Sequence, residues 1–165
     1  NKSNLAEIQL WLDVESSKKN KVISGLPESF TLRQQVSGNL GEKMSFAIRQ
    51  TLDYDNSDFV IIIGVDCPAL SSDYLDRALK CLNDGKALVL GPAEDGGYVL
   101  IGMNDKYPEI FEDISWGTSS VLQETIAKAE KIGLDYFCLE PLWDVDRPDD
   151  LRRLSELEPV FKWIQ

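Results

Sequence analysis

Histidine is absent from all 165 residues of this chain. Its absence removes histidine-based triads, histidine-ligated zinc and a histidine general base together. Chemistry here has to come from carboxylates, backbone amides, a few basic groups or a bound metal. Cysteine is scarce: Cys67, Cys81 and Cys138 are an odd number at no metal-ligand spacing. All three sit among apolar neighbours, which predicts buried, reduced thiols in a cytoplasmic protein rather than a disulfide framework. Long hydrophobic runs are lacking too, and the longest is far too short to cross a bilayer. Basic residues are outnumbered, 17 Lys and Arg against 28 Asp and Glu, for a formal net charge of −11. That balance argues against a general nucleic-acid or anionic-membrane binder. An acidic surface can still hold a cation, and the cation can hold phosphates.

What remains is an ordinary globular composition, 43% hydrophobic and 27% charged. Its most informative stretch is Phe59-Val60-Ile61-Ile62-Ile63-Gly64-Val65-Asp66-Cys67-Pro68. The β-branched run predicts a strand buried on both faces, as in the parallel sheet of an α/β fold. Gly64 lets the backbone leave the sheet and Pro68 stops the ladder, with Asp66 between them. Ligands of open α/β sheets bind beyond the carboxyl ends of strands. A carboxylate there needs a metal or a hydrogen-bond network to receive it, although Asp66 reads equally well as the cap of the next turn.

Around this segment the pattern predicts strands at Ala6 to Val14, Phe30 to Gln34, Ala87 to Leu90, Tyr98 to Gly102 and Leu134 to Leu139. Those at Ala87 and Tyr98 follow so closely that they read as an antiparallel pair. Amphipathic helices are predicted over Gly41 to Leu52, from Ser71 or Ser72 to Asn83, and from Thr118 to Lys131 with a stop at Gly133. A last helix opens at Pro148. No repeat, low-complexity tract or linker interrupts them, so residues 1–165 read as a single α/β layered domain with a mixed sheet.

Three further motifs could carry chemistry. Gln34-Gln35-Val36-Ser37-Gly38-Asn39-Leu40-Gly41 is a glycine-bearing loop entering a helix, whose amides could face an anion or a base edge. A plain loop explains it as well. Gly91-Pro92-Ala93-Glu94-Asp95-Gly96-Gly97-Tyr98 combines two carboxylates, two glycines and an aromatic, more than a routine hairpin turn needs. In Trp143-Asp144-Val145-Asp146-Arg147-Pro148-Asp149-Asp150-Leu151, helix capping accounts for Asp149 and Asp150 but not for Asp144 and Asp146. Asp66 and Asp144/Asp146 then share one rim of the sheet, a setting for Mg²⁺ or Mn²⁺.

Taken in order, these segments closely resemble a bacterial and archaeal glycosyltransferase-like family of the nucleotide-diphospho-sugar transferase superfamily (GT-A fold), one branch of which is associated with arsenosugar-type biosynthesis. The likeness rests on Gln35 to Gly41 with Met44, Ile63 to Pro68, Leu90 to Gly102, Phe111 with Trp116-Gly117-Thr118, and Asp144 to Leu151. It implies a single-domain three-layer sandwich with a mixed, mostly parallel sheet. It further implies metal-dependent glycosyl transfer from a nucleotide-diphosphate sugar donor to a small-molecule acceptor. Asp66 and Asp146 would bind the Mg²⁺ or Mn²⁺. Gln35, Gly38, Leu40 and Gly41 would lie against the nucleotide. Asp95, with Gly96, Gly97 and Tyr98, would line the sugar or acceptor side, with Asp95 as candidate base and Asp66 also catalytic. Trp116 would wall the acceptor pocket, with Thr118 in the same substrate-binding set, although Trp116 serves equally as a packing aromatic.

Two departures stand out. The family opens with a strand and a basic, diphosphate-gripping loop, whereas this sequence starts at what resembles the second strand. The expectation is therefore a missing strand and helix before Asn1, on the order of 40 residues, and poor solubility or oligomerisation without them. Arg147 stands where the family places a threonine, at a cost of about 1 kcal/mol in capping. Two other readings stay open: a guanylyltransferase-like nucleotidyltransferase acting on a phosphorylated small molecule, and a non-catalytic nucleotide-binding module.

Overall fold

The computed structural model describes residues 7–13, 29–54 and 57–146, together with 150, 153 and 154. The alternation around Ile8 forms β1 (Ile8–Leu12), which pairs in parallel with β2 (Phe30–Gln34), from Ile8 opposite Phe30 to Leu12 opposite Gln34. A second sheet contains β3 (Val60–Ile63), β4 (Leu88–Pro92), β5 (Tyr98–Met103) and β6 (Tyr136–Cys138), in the order β3-β5-β4-β6. Strand β5 is antiparallel to both β3 and β4, and β6 is parallel to β4. It follows that β3, β4 and β6 point the same way and only β5 is reversed. The sheet is mixed and mostly parallel in direction, as expected, and the hairpin predicted between Ala87 and Gly102 is β4-β5.

Two features of β3 differ from expectation. Its unbroken apolar run predicts a strand buried on both faces within a parallel sheet. Among the described residues it pairs with β5 alone, and that pairing is antiparallel. Ile63 is 41% exposed and Val65, just past the strand, 91%. Apolar β-branched residues report strand propensity faithfully but cannot report which neighbours arrive.

The helices begin and end for identifiable local reasons. Helix α1 (Leu40–Tyr54) starts with a capping box: Asn39 Oδ1 accepts from the Glu42 amide at 3.0 Å, and Glu42 Oε2 accepts from the Asn39 amide at 2.8 Å. Ser71, of the two serines considered, caps α2 (Ser72–Asn83) by accepting from the Tyr74 amide at 3.2 Å. Helix α3 (Val121–Lys131) starts three residues after the predicted Thr118. It stops in a Schellman arrangement at Gly133, whose φ is 73°: the Gly133 amide reaches Glu130 O at 3.0 Å and the Leu134 amide reaches Ala129 O at 2.9 Å. The helix predicted from Pro148 lies largely outside the described residues, of which 150, 153 and 154 are helical.

These elements build three layers. On one face of the larger sheet, Met44 and Ile48 of α1, Ile110 and Phe111 of a 3₁₀ turn (Pro108–Phe111) and Ala129 of α3 pack on Leu88, Leu90, Ile101 and Met103. On the other, Tyr74, Ala78 and Leu82 of α2 pack on Val89, Val99 and Leu100. Helix α1 also reaches the small sheet through Phe46, whose ring meets Trp11 edge-on at 5.9 Å, and through a Lys43–Asp13 ion pair at 2.6 Å. The three-layer α/β sandwich is the architecture the sequence implies.

Candidate metal centre

Three loops leave the larger sheet at the carboxyl ends of its three co-directional strands. Those after β4 and β6 keep pairing beyond the sheet proper: Ala93 bridges Leu142 in parallel, the Leu142 amide donates to Pro92 O at 2.9 Å, and the Glu94 amide donates to Leu142 O at 2.9 Å. The Ala93–Leu142 bridge is shifted by one residue from the β4–β6 register, in which Leu90 faces Cys138, and just beyond it the two loops bring Asp95 and Asp144 together. Asp95, Asp144 and Asp146 each offer a carboxylate oxygen within 4.8 Å of the others. The loop after β3 is tied to the same place by the Val145 amide on Asp66 O at 2.9 Å and by the buried Cys67 thiol on Trp143 O at 3.3 Å.

The electrostatics follow from this crowding. Asp95 and Asp146 are exposed and Asp144 half-buried. Desolvation first, then the negative charges of Asp95 and Asp146, raise the Asp144 pKa above the ordinary aspartate range. Among the described residues no ion pair joins any of the three to a cation. The Cys67 thiol is pushed up mainly by burial, with Asp144 and Asp66 adding to the shift, which keeps it protonated. All three cysteines are free thiols, though only Cys67 is fully buried, Cys81 and Cys138 being half-buried.

The turn that carries Asp95 is held tightly. Asp95 Oδ1 accepts from the Gly97 amide at 2.9 Å, and the Ala93 amide donates to Gly97 O at 3.0 Å. Gly96 adopts φ 96°, and a Cβ there would stand 2.2 Å from the Ser119 carbonyl oxygen. The turn thus lies flat against the start of α3, whose Leu122 amide donates to Gly96 O at 2.9 Å.

The remaining residues singled out in the sequence fall into distinct places. Asp66 is exposed and stands outside the group of three, its side chain lying over Gly64; its charge acts on Asp144 less strongly than those of Asp95 and Asp146. Gln35 finishes the small sheet, its amide on Leu12 O at 3.0 Å and its Nε2 on Trp11 O at 3.3 Å. Gly38 (φ 131°) lies against Glu42 of the capping box, and Leu40 is exposed. Gly41 is where the Trp116 indole enters: a Cβ would stand 2.6 Å from the ring and 3.0 Å from Phe111 O. Trp116 meets Tyr98 edge-on at 6.4 Å, so Gly41, Trp116 and Tyr98 form one packed row. Thr118 joins a hydroxyl network, donating to Ser115 O at 2.7 Å and lying 2.8 Å from Ser120 Oγ. A cleft of about 580 Å³ runs between Ser37, Gly41 and Arg49 of the α1 side and Phe111 to Asp113, and none of the three carboxylates lines it. Asp144 as a partner of Asp95 was legible only as an unexplained carboxylate, because the two meet only once the loops after β4 and β6 are bridged at Ala93 and Leu142.

The layers, strand directions and convergent loops define a nucleotide-diphospho-sugar transferase-like α/β fold. A crystal structure from Desulfovibrio desulfuricans G20, described as a "putative nucleotide-diphospho-sugar transferase", superposes with a TM-score of 0.83 at 28% identity, covering 95% of this chain and 70% of that one. The chain belongs to the family described as "Uncharacterized protein conserved in bacteria (DUF2064)", whose model matches residues 1–118. No curated protein matches it. Asp144 and Asp146 lie beyond the matched span, so their part in the centre rests on the geometry alone.

Proposed function

We propose that this protein transfers a glycosyl group from a nucleotide-diphosphate sugar to a small-molecule acceptor, with Mg²⁺ or Mn²⁺ held by Asp95, Asp144 and Asp146. The observation that carries the reading is the meeting of these three carboxylates beyond the strand ends, in a fold shared with the Desulfovibrio protein. The donor set fits a hard divalent cation. Oxygens on one such ion, at about 2.0–2.6 Å from it, lie at most about 4–5 Å apart, and the three carboxylates satisfy that limit, all within 4.8 Å of one another. A bound ion supplies Lewis-acid neutralisation of charge on the leaving diphosphate.

The chain's own residues supply the rest. The three aspartates would hold the cation, whose charge would offset both the desolvation and the like-charge repulsion that raise the Asp144 pKa. Gly96 and Gly97 leave the turn without side chains, so backbone can approach a ligand closely. With Asp95 engaged as a ligand, Asp66 is the exposed carboxylate on the adjoining loop that can accept a proton from an acceptor hydroxyl. The whole is read as cytoplasmic chemistry on soluble donors. Phosphorus NMR of a nucleotide-sugar panel with protein and Mn²⁺ tests the reading. Slow, metal-dependent release of nucleoside diphosphate is expected. Diphosphate released from a nucleoside triphosphate would instead establish nucleotidyl transfer, and binding without turnover would establish a binding module.

A further inference from the structure

Helical residues 150 and 153 touch the acidic centre or its flanking residues at three separate points. Arg153 forks onto Glu94, Nη1 to Oε2 at 2.7 Å and Nη2 to Oε1 at 3.0 Å. Its guanidinium also lies over the Trp143 ring, 4.6 Å from the centroid. Asp150 Oδ2 accepts from the Asp146 amide at 3.1 Å. Glu94 precedes Asp95, and Trp143 precedes Asp144. Each of the three carboxylates is therefore gripped at itself or at the residue before it, and Leu154, 8% exposed, anchors the gripping segment in the core.

We propose that this segment is a clasp that sets the spacing of the three carboxylates, with Arg153 and Asp150 as positioning residues. The inference rests on the metal reading above but concerns a different link, how the donor atoms are held. A bidentate guanidinium–carboxylate fork fixes direction as well as distance, and stacking on Trp143 locks the same side chain to the second loop. Both guanidinium nitrogens of the fork are engaged by Glu94, so Arg153 does not compete with a cation for the three aspartates. Partners one step removed from metal ligands govern affinity by orienting those ligands.

The test compares Arg153→Met with wild type in two measurements on the full chain. The first is the Mn²⁺ dissociation constant; the second is amide hydrogen exchange of the metal-free protein. The clasp predicts Mn²⁺ affinity weakened by about tenfold or more. It also predicts faster exchange across 93–97 and 142–146, with the amides of β4 and β6 unchanged. Arg153→Lys, which keeps a cation over Trp143, recovers part of the affinity. Lys86→Met breaks the Lys86–Asp135 pair, 2.6 Å, at the opposite end of the same two strands, and leaves Mn²⁺ binding at the wild-type value even if stability falls. Unchanged exchange in Arg153→Met overturns the clasp, as does equal weakening by Lys86→Met. Wild-type protein that binds no Mn²⁺ defeats the metal reading, while the exchange result still decides the clasp.

Discussion

Gly96 shows how much a single residue constrains the centre. Its φ of 96° is open to glycine at little cost, and its Cα faces the Ser119 carbonyl so closely that a methyl group cannot fit without parting the turn from α3. Backbone, not a flexible side chain, is the obstacle. Gly96→Ala is expected to lose about 2–4 kcal/mol of stability in denaturant unfolding and to weaken Mn²⁺ binding as the Asp95 turn shifts. Stability within a few tenths of wild type would show that the turn is looser than this packing implies. The glycines and carboxylates of this turn stood out in the sequence, because two carboxylates beside two glycines exceed what a hairpin requires. Glu94 was legible only as one carboxylate among them, since its importance lies in Arg153, 59 positions away. The row joining Gly41, Trp116 and Tyr98 was hidden for the same reason: close aromatic packing leaves no periodic trace along the chain.

Among elements, the helix signals were read more reliably than the strand contexts, and the cause is the range of the interactions. Capping is local. Asn39 and Glu42 are three residues apart, and the Schellman hydrogen bonds at Gly133 and Leu134 span three and five positions. Even so, the loop from Gln35 to Gly41 drew attention for amides offered to a ligand, whereas the Asn39 and Glu42 amides are taken by the capping box. Asn39→Ala should therefore cost about 1 kcal/mol and lower Tm by about 2–4 °C, measured by calorimetry, with Mn²⁺ affinity unchanged because the box lies away from the carboxylates. A Tm equal to wild type would mean that water replaces the cap without loss. The surroundings of β3 could not be read in the same way. Its composition fixes extended backbone, but its sole described partner β5 lies some 40 residues downstream in sequence, beyond anything a local pattern reports.

The molecule as a whole owes its candidate centre to topology. Three of the four strands in the larger sheet share a direction, so their following loops gather at one rim. Prolonged pairing through Ala93 and Leu142 then converts two separate acidic motifs into one cluster. The fold class was legible because the ordered motifs cover nearly the whole chain. The grouping was legible only in part: Asp66 and Asp146 were expected as the metal carboxylates and Asp95 as a base, whereas Asp66 stands outside the three that meet and Asp144 takes the half-buried position among them. The central claim is that these three carboxylates hold one divalent cation. Calorimetric titration of the metal-free protein with Mn²⁺ tests it most directly, run alongside Asp146→Asn and Asp95→Asn. The account predicts one ion per chain in the wild type. It predicts affinity lower by about tenfold or more in each variant, with metal-free Tm unchanged or raised, since each variant removes like-charge repulsion. Wild-type protein that takes up no Mn²⁺, or variants that bind it as tightly as wild type, would contradict it.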